Sequence, residues 1–161
     1  MMRFSSRSAH AGYTLIELIM VIVIVGILSV VALPKLFVSS YQARGFADQV
    51  LATLRYAQKS AIAQHRLVCA SLSASTNSLT LTRASLSTDS SCTLAINLPD
   101  RASNSLAAPS GITLSPSIVI SFDANGRYVA SAPASISISN VSLPNVSLPI
   151  IIQAETGYVS Q

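Results

Sequence analysis

The run from Tyr13 to Leu33 constrains this chain more than any other feature: it is 21 residues long and holds one charge, Glu17. As a helix, such a stretch reaches roughly 30 Å, the thickness of a bilayer's hydrocarbon core. It is too long for the apolar core of a secretory signal, and the Ala32-Leu33-Pro34-Lys35 sequence at its end is a poor small-residue cleavage site. Arg3 and Arg7 precede it. Basic residues stay on the cytoplasmic side of a span, so the N-terminus is expected inside and the rest of the chain outside. Glu17 is out of place in a plain anchor. A carboxylate near the membrane core costs about 2.5–3.5 kcal/mol on insertion scales and marks a functional position.

The helix is expected to continue beyond the apolar run. From Leu36 to Arg66, Ala43, Ala47, Val50, Leu54, Ala57 and Ala61 recur at spacings of three and four, with Phe46 beside them. Arg44, Asp48, Arg55, Lys59 and Arg66 fall mostly off that stripe. This is helix periodicity with one buried face. The pattern predicts one helix over Tyr13–Arg66, kinked at Pro34, which lacks an amide donor and clashes with the preceding turn.

After Arg66, Ser, Thr, Asn, Pro and Gly rise and the helical period disappears. Short alternating segments begin at Leu67, Ser78, Cys92, Ile118, Ser135 and Pro149, separated by turn-rich stretches that include Leu98 to Gly111. They read as strands. Asp123-Ala124-Asn125-Gly126 reads as a hairpin turn. The tandem NVSLPNVSLP from Asn140 reads as a loop or edge segment, because its prolines cannot serve a central ladder. Its two Asn-Val-Ser sequons are not expected to carry glycan. The fold class is therefore α+β: residues 1–12 a leader, 13–35 the apolar half of the helix, 36–66 its amphipathic half, and 67–161 a small antiparallel β-rich head.

Several function classes are poorly served by these residues. The net charge is +4, and removing Arg3 and Arg7 with the leader leaves eight basic and six acidic residues, too small an excess to argue for nucleic acid. No Gly-x-Ser-x-Gly, paired-carboxylate or phosphate-loop pattern is present. Ser110 lies in a Pro-Ser-Gly turn and His65 near the helix end, with nothing to bring them together. Catalysis, a metal and a cofactor are not expected. Cys69 and Cys92 both lie beyond the span, where disulfides persist, so a bond between them is expected. The alternative is two buried thiols.

The stretch Gly12-Tyr13-Thr14-Leu15-Ile16-Glu17-Leu18, behind a short basic leader, resembles the prepilin family of type IV pili and type II secretion systems. Ala32-Leu33-Pro34 is similar to that family too. Tyr13 stands where the family most often has Phe. The resemblance implies cleavage between Gly12 and Tyr13 by a membrane prepilin peptidase, N-methylation of Tyr13, and transfer of the apolar helix from bilayer lipid to a filament core. It also implies that Glu17 serves assembly by pairing with the Tyr13 amine of a neighbouring subunit. Partners implied are other pilins or pseudopilins and an inner-membrane assembly platform. The head would be periplasmic, then part of a pilus or pseudopilus.

Three further segments resemble the FimT/GspH-type minor pilins and pseudopilins: LRYAQKSAIA at Leu54–Ala63, SFDANGRY at Ser121–Tyr128 and TGYV at Thr156–Val159. A minor subunit of a mannose-sensitive-haemagglutinin-type pilus is the alternative within the class. Some FimT-like proteins bind DNA for uptake through a basic Gly-Arg motif near the C-terminus. Gly126-Arg127 matches its start, but Tyr128 follows instead of a second cation. Phosphate binding recruits several cations, and Arg83, Arg101 and Arg127 are scattered, so DNA is not expected as a partner.

Overall fold

The structure, a computed structural model, describes residues 12–141 and 143–161, without the side chains of 30–40 and 143–146. Helix α1 spans Leu15–Gln64. Nine strands follow: β1 Val68–Ser73, β2 Ser78–Arg83, β3 Leu94–Ala95, β4 Ser105–Ala107, β5 Ile112–Ser115, β6 Ile118–Phe122, β7 Ala134–Asn140, β8 Leu143–Ile152 and β9 Val159–Ser160. The chain divides into two units, Met1–Phe37 and Val38–Gln161, and α1 contributes to both.

In the first unit, Thr14 caps α1. Its Oγ1 accepts the Glu17 amide at 3.3 Å, and its carbonyl accepts the Leu18 amide at 3.2 Å. Thr14-Leu15-Ile16-Glu17 is thus a capping-box sequence, with an acid in the first turn where the helix dipole favours it. The leader residues 1–11 and the Pro34 side chain lie outside the described residues, and the kink expected at Pro34 remains an expectation.

In the second unit, α1 lays its small-residue face on a sheet pair. Ala43, Phe46, Ala47, Val50, Leu54, Ala57 and Ala61 are buried. Phe46, placed beside the stripe by the sequence, belongs to it. Alanine at four of these seven positions lets the helix backbone come close to the strands. One antiparallel sheet has the order β3-β2-β1-β6, with β4 also pairing β2, and the other runs β5-β7-β8-β9. Inward residues alternate along each strand, as in Ile136 and Ile138 of β7, Ile150 and Ile152 of β8, and Ile120 and Phe122 of β6. Helix and both sheets share one apolar core.

The helix stops two residues short of the expected Arg66. Arg66 N–H bonds the Ala61 carbonyl and His65 N–H that of Ile62, while His65 takes φ 47°. This is a Schellman stop with His65 in the left-handed position that glycine normally fills.

Two loop expectations are corrected. Leu98–Gly111 contains β4, which pairs Ser78–Thr80 of β2 with Ser105–Ala107. The NVSLP repeat is mostly strand, since β8 pairs β7 in register from Ser147↔Ser139 to Ile152↔Ala134. The edge reading of that repeat agrees with the pairing. β9 covers only Ile151 and Ile152, so Pro144 and Pro149 precede the covered part of β8. Asn140, the first sequon residue, is buried.

Candidate assembly site

Two places carry the residues singled out by the sequence. The first is the start of α1. From Leu15 to Leu28 the large apolar side chains are exposed all around the helix, and Tyr13 is 86% exposed. A soluble fold has no reason to present such a surface. A Cβ added at Gly12 would meet nothing within 4 Å, so the local structure itself makes no demand for glycine there. Among the described residues no helix is long and apolar enough to cross a membrane. The expected span runs on through residues 30–33, whose side chains lie outside them.

The second place joins three separated segments. Gln58, on the solvent side of the helix core, donates its amide to the carbonyls of Gly126 at 2.8 Å and Thr156 at 3.0 Å. One turn earlier, Arg55 Nη2 donates to the Val159 carbonyl at 3.1 Å. The helix end, the turn after β6 and the turn before β9 are thereby tied to each other. These are the segments LRYAQKSAIA, SFDANGRY and TGYV.

Local chemistry shapes each turn for this contact. Asp123 Oδ1 accepts the amides of Asn125 at 2.9 Å and Arg127 at 2.8 Å, closing the turn on its own side chain. Gly126 takes φ 79°, and a Cβ there would sit 2.6 Å from Ile62 Cδ1. Gly157 takes φ 63°, and its Cβ would collide with the Gly126 carbonyl oxygen and lie 2.9 Å from Gln58 Nε2. The turn is a hairpin, as expected, but it returns through a single bridge, Phe122↔Tyr128, and not a full strand.

Cys69 on β1 and Cys92 before β3 are bonded, with Cα atoms 6.1 Å apart, tying the long β2–β3 connection to the sheet. Arg127 is exposed but paired. It forms an ion pair with Glu155 at 3.1 Å, and its Nε donates to the Glu155 carbonyl. Arg83 donates to Gln64 and Arg101 pairs with Asp100 at 2.7 Å. The Arg101 guanidinium holds the Asp100 carboxyl below the usual carboxylate range by a direct hydrogen bond. No hydrogen bond joins Ser110 to His65 among the described residues. No cluster of three or more His, Cys, Asp or Glu able to hold a metal occurs among them either.

Parts of this chain are similar to known proteins. Residues 7–33 match the prokaryotic N-terminal methylation motif. The fold is similar to FimU, a type IV minor pilin of Pseudomonas aeruginosa, with TM-score 0.57 and 17% identity over 77% of this chain and 90% of that one. It is similar also to EpsH, a minor pseudopilin from the type 2 secretion system of Vibrio cholerae, with TM-score 0.58 and 18% identity over 74% of this chain and 94% of that one. No curated protein matches the chain by sequence. The fold is therefore type IV pilin-like, and residues 7–33 carry the N-terminal methylation motif in front of it. Within it, the architecture is the one FimU and EpsH share.

Proposed function

We propose that this chain is a minor type IV pilin or type II secretion pseudopilin, a structural subunit without catalytic activity that primes or joins a filament assembled at the inner membrane. Prepilin peptidase cuts between Gly12 and Tyr13 and methylates the Tyr13 amine. The apolar helix then holds the subunit in the membrane, with the head on the periplasmic side, until assembly. Glu17 pairs with the Tyr13 amine of a neighbour and sets the axial register, since a buried carboxylate without a cation is costly.

The observation that carries this reading is the coexistence of the methylation motif at residues 7–33 with an apolar helix surface exposed on every side. A surface of that kind has to be covered by lipid or by other helices. A DNA-uptake role draws no support from the head, where Arg127 is engaged by Glu155.

The test is the composition of sheared filaments from cells making the full chain. The reading predicts this chain in them at a small fraction of the main subunit's copy number. Its absence from filaments and from complexes with other pilin-like subunits would contradict the reading.

A further inference from the structure

Within the second unit, α1 has an exposed face beside its buried stripe. Arg44, Asp48, Arg55 and Lys59 follow spacings of 4, 7 and 4, which places all four within about 60° of arc at 3.6 residues per turn. Three are cations and one is an acid, and Arg66 follows just past the helix end. The stripe runs for roughly 22 Å along the helix at 1.5 Å per residue. Arg55 and Arg66 donate to the carbonyls of Val159 and Ser85. Such bonds hold a guanidinium in place without neutralising it.

Beside the stripe, Gly45, Ala52 and Ala63 are exposed and small. Ala52 is also the near wall of a groove of about 230 Å³ between α1 and the connection from β3 to β4. Thr53, Tyr56, Leu98 and Leu106 share the lining with Gln49, Pro99 and the Asp100–Arg101 pair, and the surface it presents is mainly apolar. Charge, close-approach positions and an apolar slot therefore lie side by side.

We infer that this face docks an acidic helix of a different subunit, one of whose apolar side chains fills the groove beside Ala52. Charge complementarity identifies the occupant. A second copy of this chain is a poor source of the acid: Glu17 lies in the apolar run, and each acid of the head is engaged. Asp100 is paired with Arg101 and Glu155 with Arg127. Asp123 and Asp89 accept backbone amides of their own turns, and Asp48 lies inside the basic stripe. Two copies laid face to face would set cation against cation, which costs several kcal/mol. A 4/7 spacing of charges beside small residues suits a second helix, whose own charges repeat at the same spacing and whose backbone can come close. A lipid surface needs neither the small residues nor the slot.

The inference rests on the filament-subunit reading, and the two fail in different ways. A chain that keeps Met1 uncut defeats that reading. A cut chain whose recruitment ignores the stripe defeats the docking site alone.

The experiment uses the full chain in cells with its filament system intact. Zero-length carbodiimide coupling joins amines to carboxylates, and the chain has only two lysines, Lys35 and Lys59. The expected result is a bond from Lys59 to an Asp or Glu in a helix of a different pilin-like subunit. Lys59→Arg should lose the cross-link and keep recruitment. Arg44→Glu with Lys59→Glu should lower recruitment about tenfold, equivalent to about 1.4 kcal/mol, with the head still protease-resistant. Lys59→Glu alone serves if the double variant misfolds. Ala52→Trp should also lower recruitment by closing the slot. The site is overturned by a Lys59 bond to a second copy or by full recruitment of the charge-reversed chain. It is overturned equally if charge reversal abolishes only binding to anionic phospholipid vesicles.

Discussion

The Gln58 side-chain amide donates to the Gly126 carbonyl at 2.8 Å, across 68 residues of sequence, and shares its second hydrogen with Thr156. A primary amide has two N–H groups at a fixed angle, so one side chain can hold two backbone turns in one relative position. This device adds to the closure of the head on its helix that the apolar core provides.

Replacing Gln58 tests that closure. Gln58→Ala should cost about 1–3 kcal/mol, because two carbonyls in a partly buried contact lose their donor. Gln58→Glu should cost more, since it sets an acceptor against two acceptors. Denaturant unfolding of the exported fragment 38–161 gives both values. Equal stability of wild type and Gln58→Glu would show that the clamp contributes nothing.

Glycine positions in the head should differ in sensitivity although three share a positive φ. Gly111→Ala meets open space and should cost only the backbone term, about 1–2 kcal/mol. Gly157→Ala adds a collision with the Gly126 carbonyl and Gln58, and should cost clearly more or prevent folding. Thermal melts of the same fragment separate the two, and equal losses would contradict the close approach.

The Cys69–Cys92 bond closes a separation of 23 residues. In the chain-entropy picture it is worth roughly 3 kcal/mol. The double Cys→Ala variant of the exported fragment should melt lower by an amount of that order. Non-reducing peptide mapping of wild type should recover the two cysteines linked, whereas alkylation of both without reductant would count against the bond.

Glu17→Ala should leave the chain processed, membrane-bound and normally folded in its head, yet poorly recovered in sheared filaments. The Thr14 cap of α1 does not need the Glu17 side chain, because it uses the Glu17 backbone amide. Recovery equal to wild type would remove the register role assigned to Glu17.

Much of this architecture is legible because burial imposes a period. The helix face from Ala43 to Ala61 follows the three-and-four spacing, and β1, β2, β6 and β7 show alternation strong enough to survive in Ser-rich sequence. β4 is not legible. It has three residues in a stretch crowded with Ser, Pro, Asn and Ala, and its register comes from β2 and not from its own pattern. His65 hid the helix end, since nothing local marks a histidine for the left-handed position. The clamp carries no periodic signal at all, because an amide reaching two carbonyls leaves no trace in hydropathy. Its only trace was the shared resemblance of three segments whose common purpose appears once Gln58 is seen to join them.

The account stands on processing at Gly12, and the intact mass of the membrane-extracted chain measures it directly. In cells with an active prepilin peptidase the account predicts a chain beginning at Tyr13 and carrying one added methyl group. A mature chain still beginning at Met1 in those cells would contradict it.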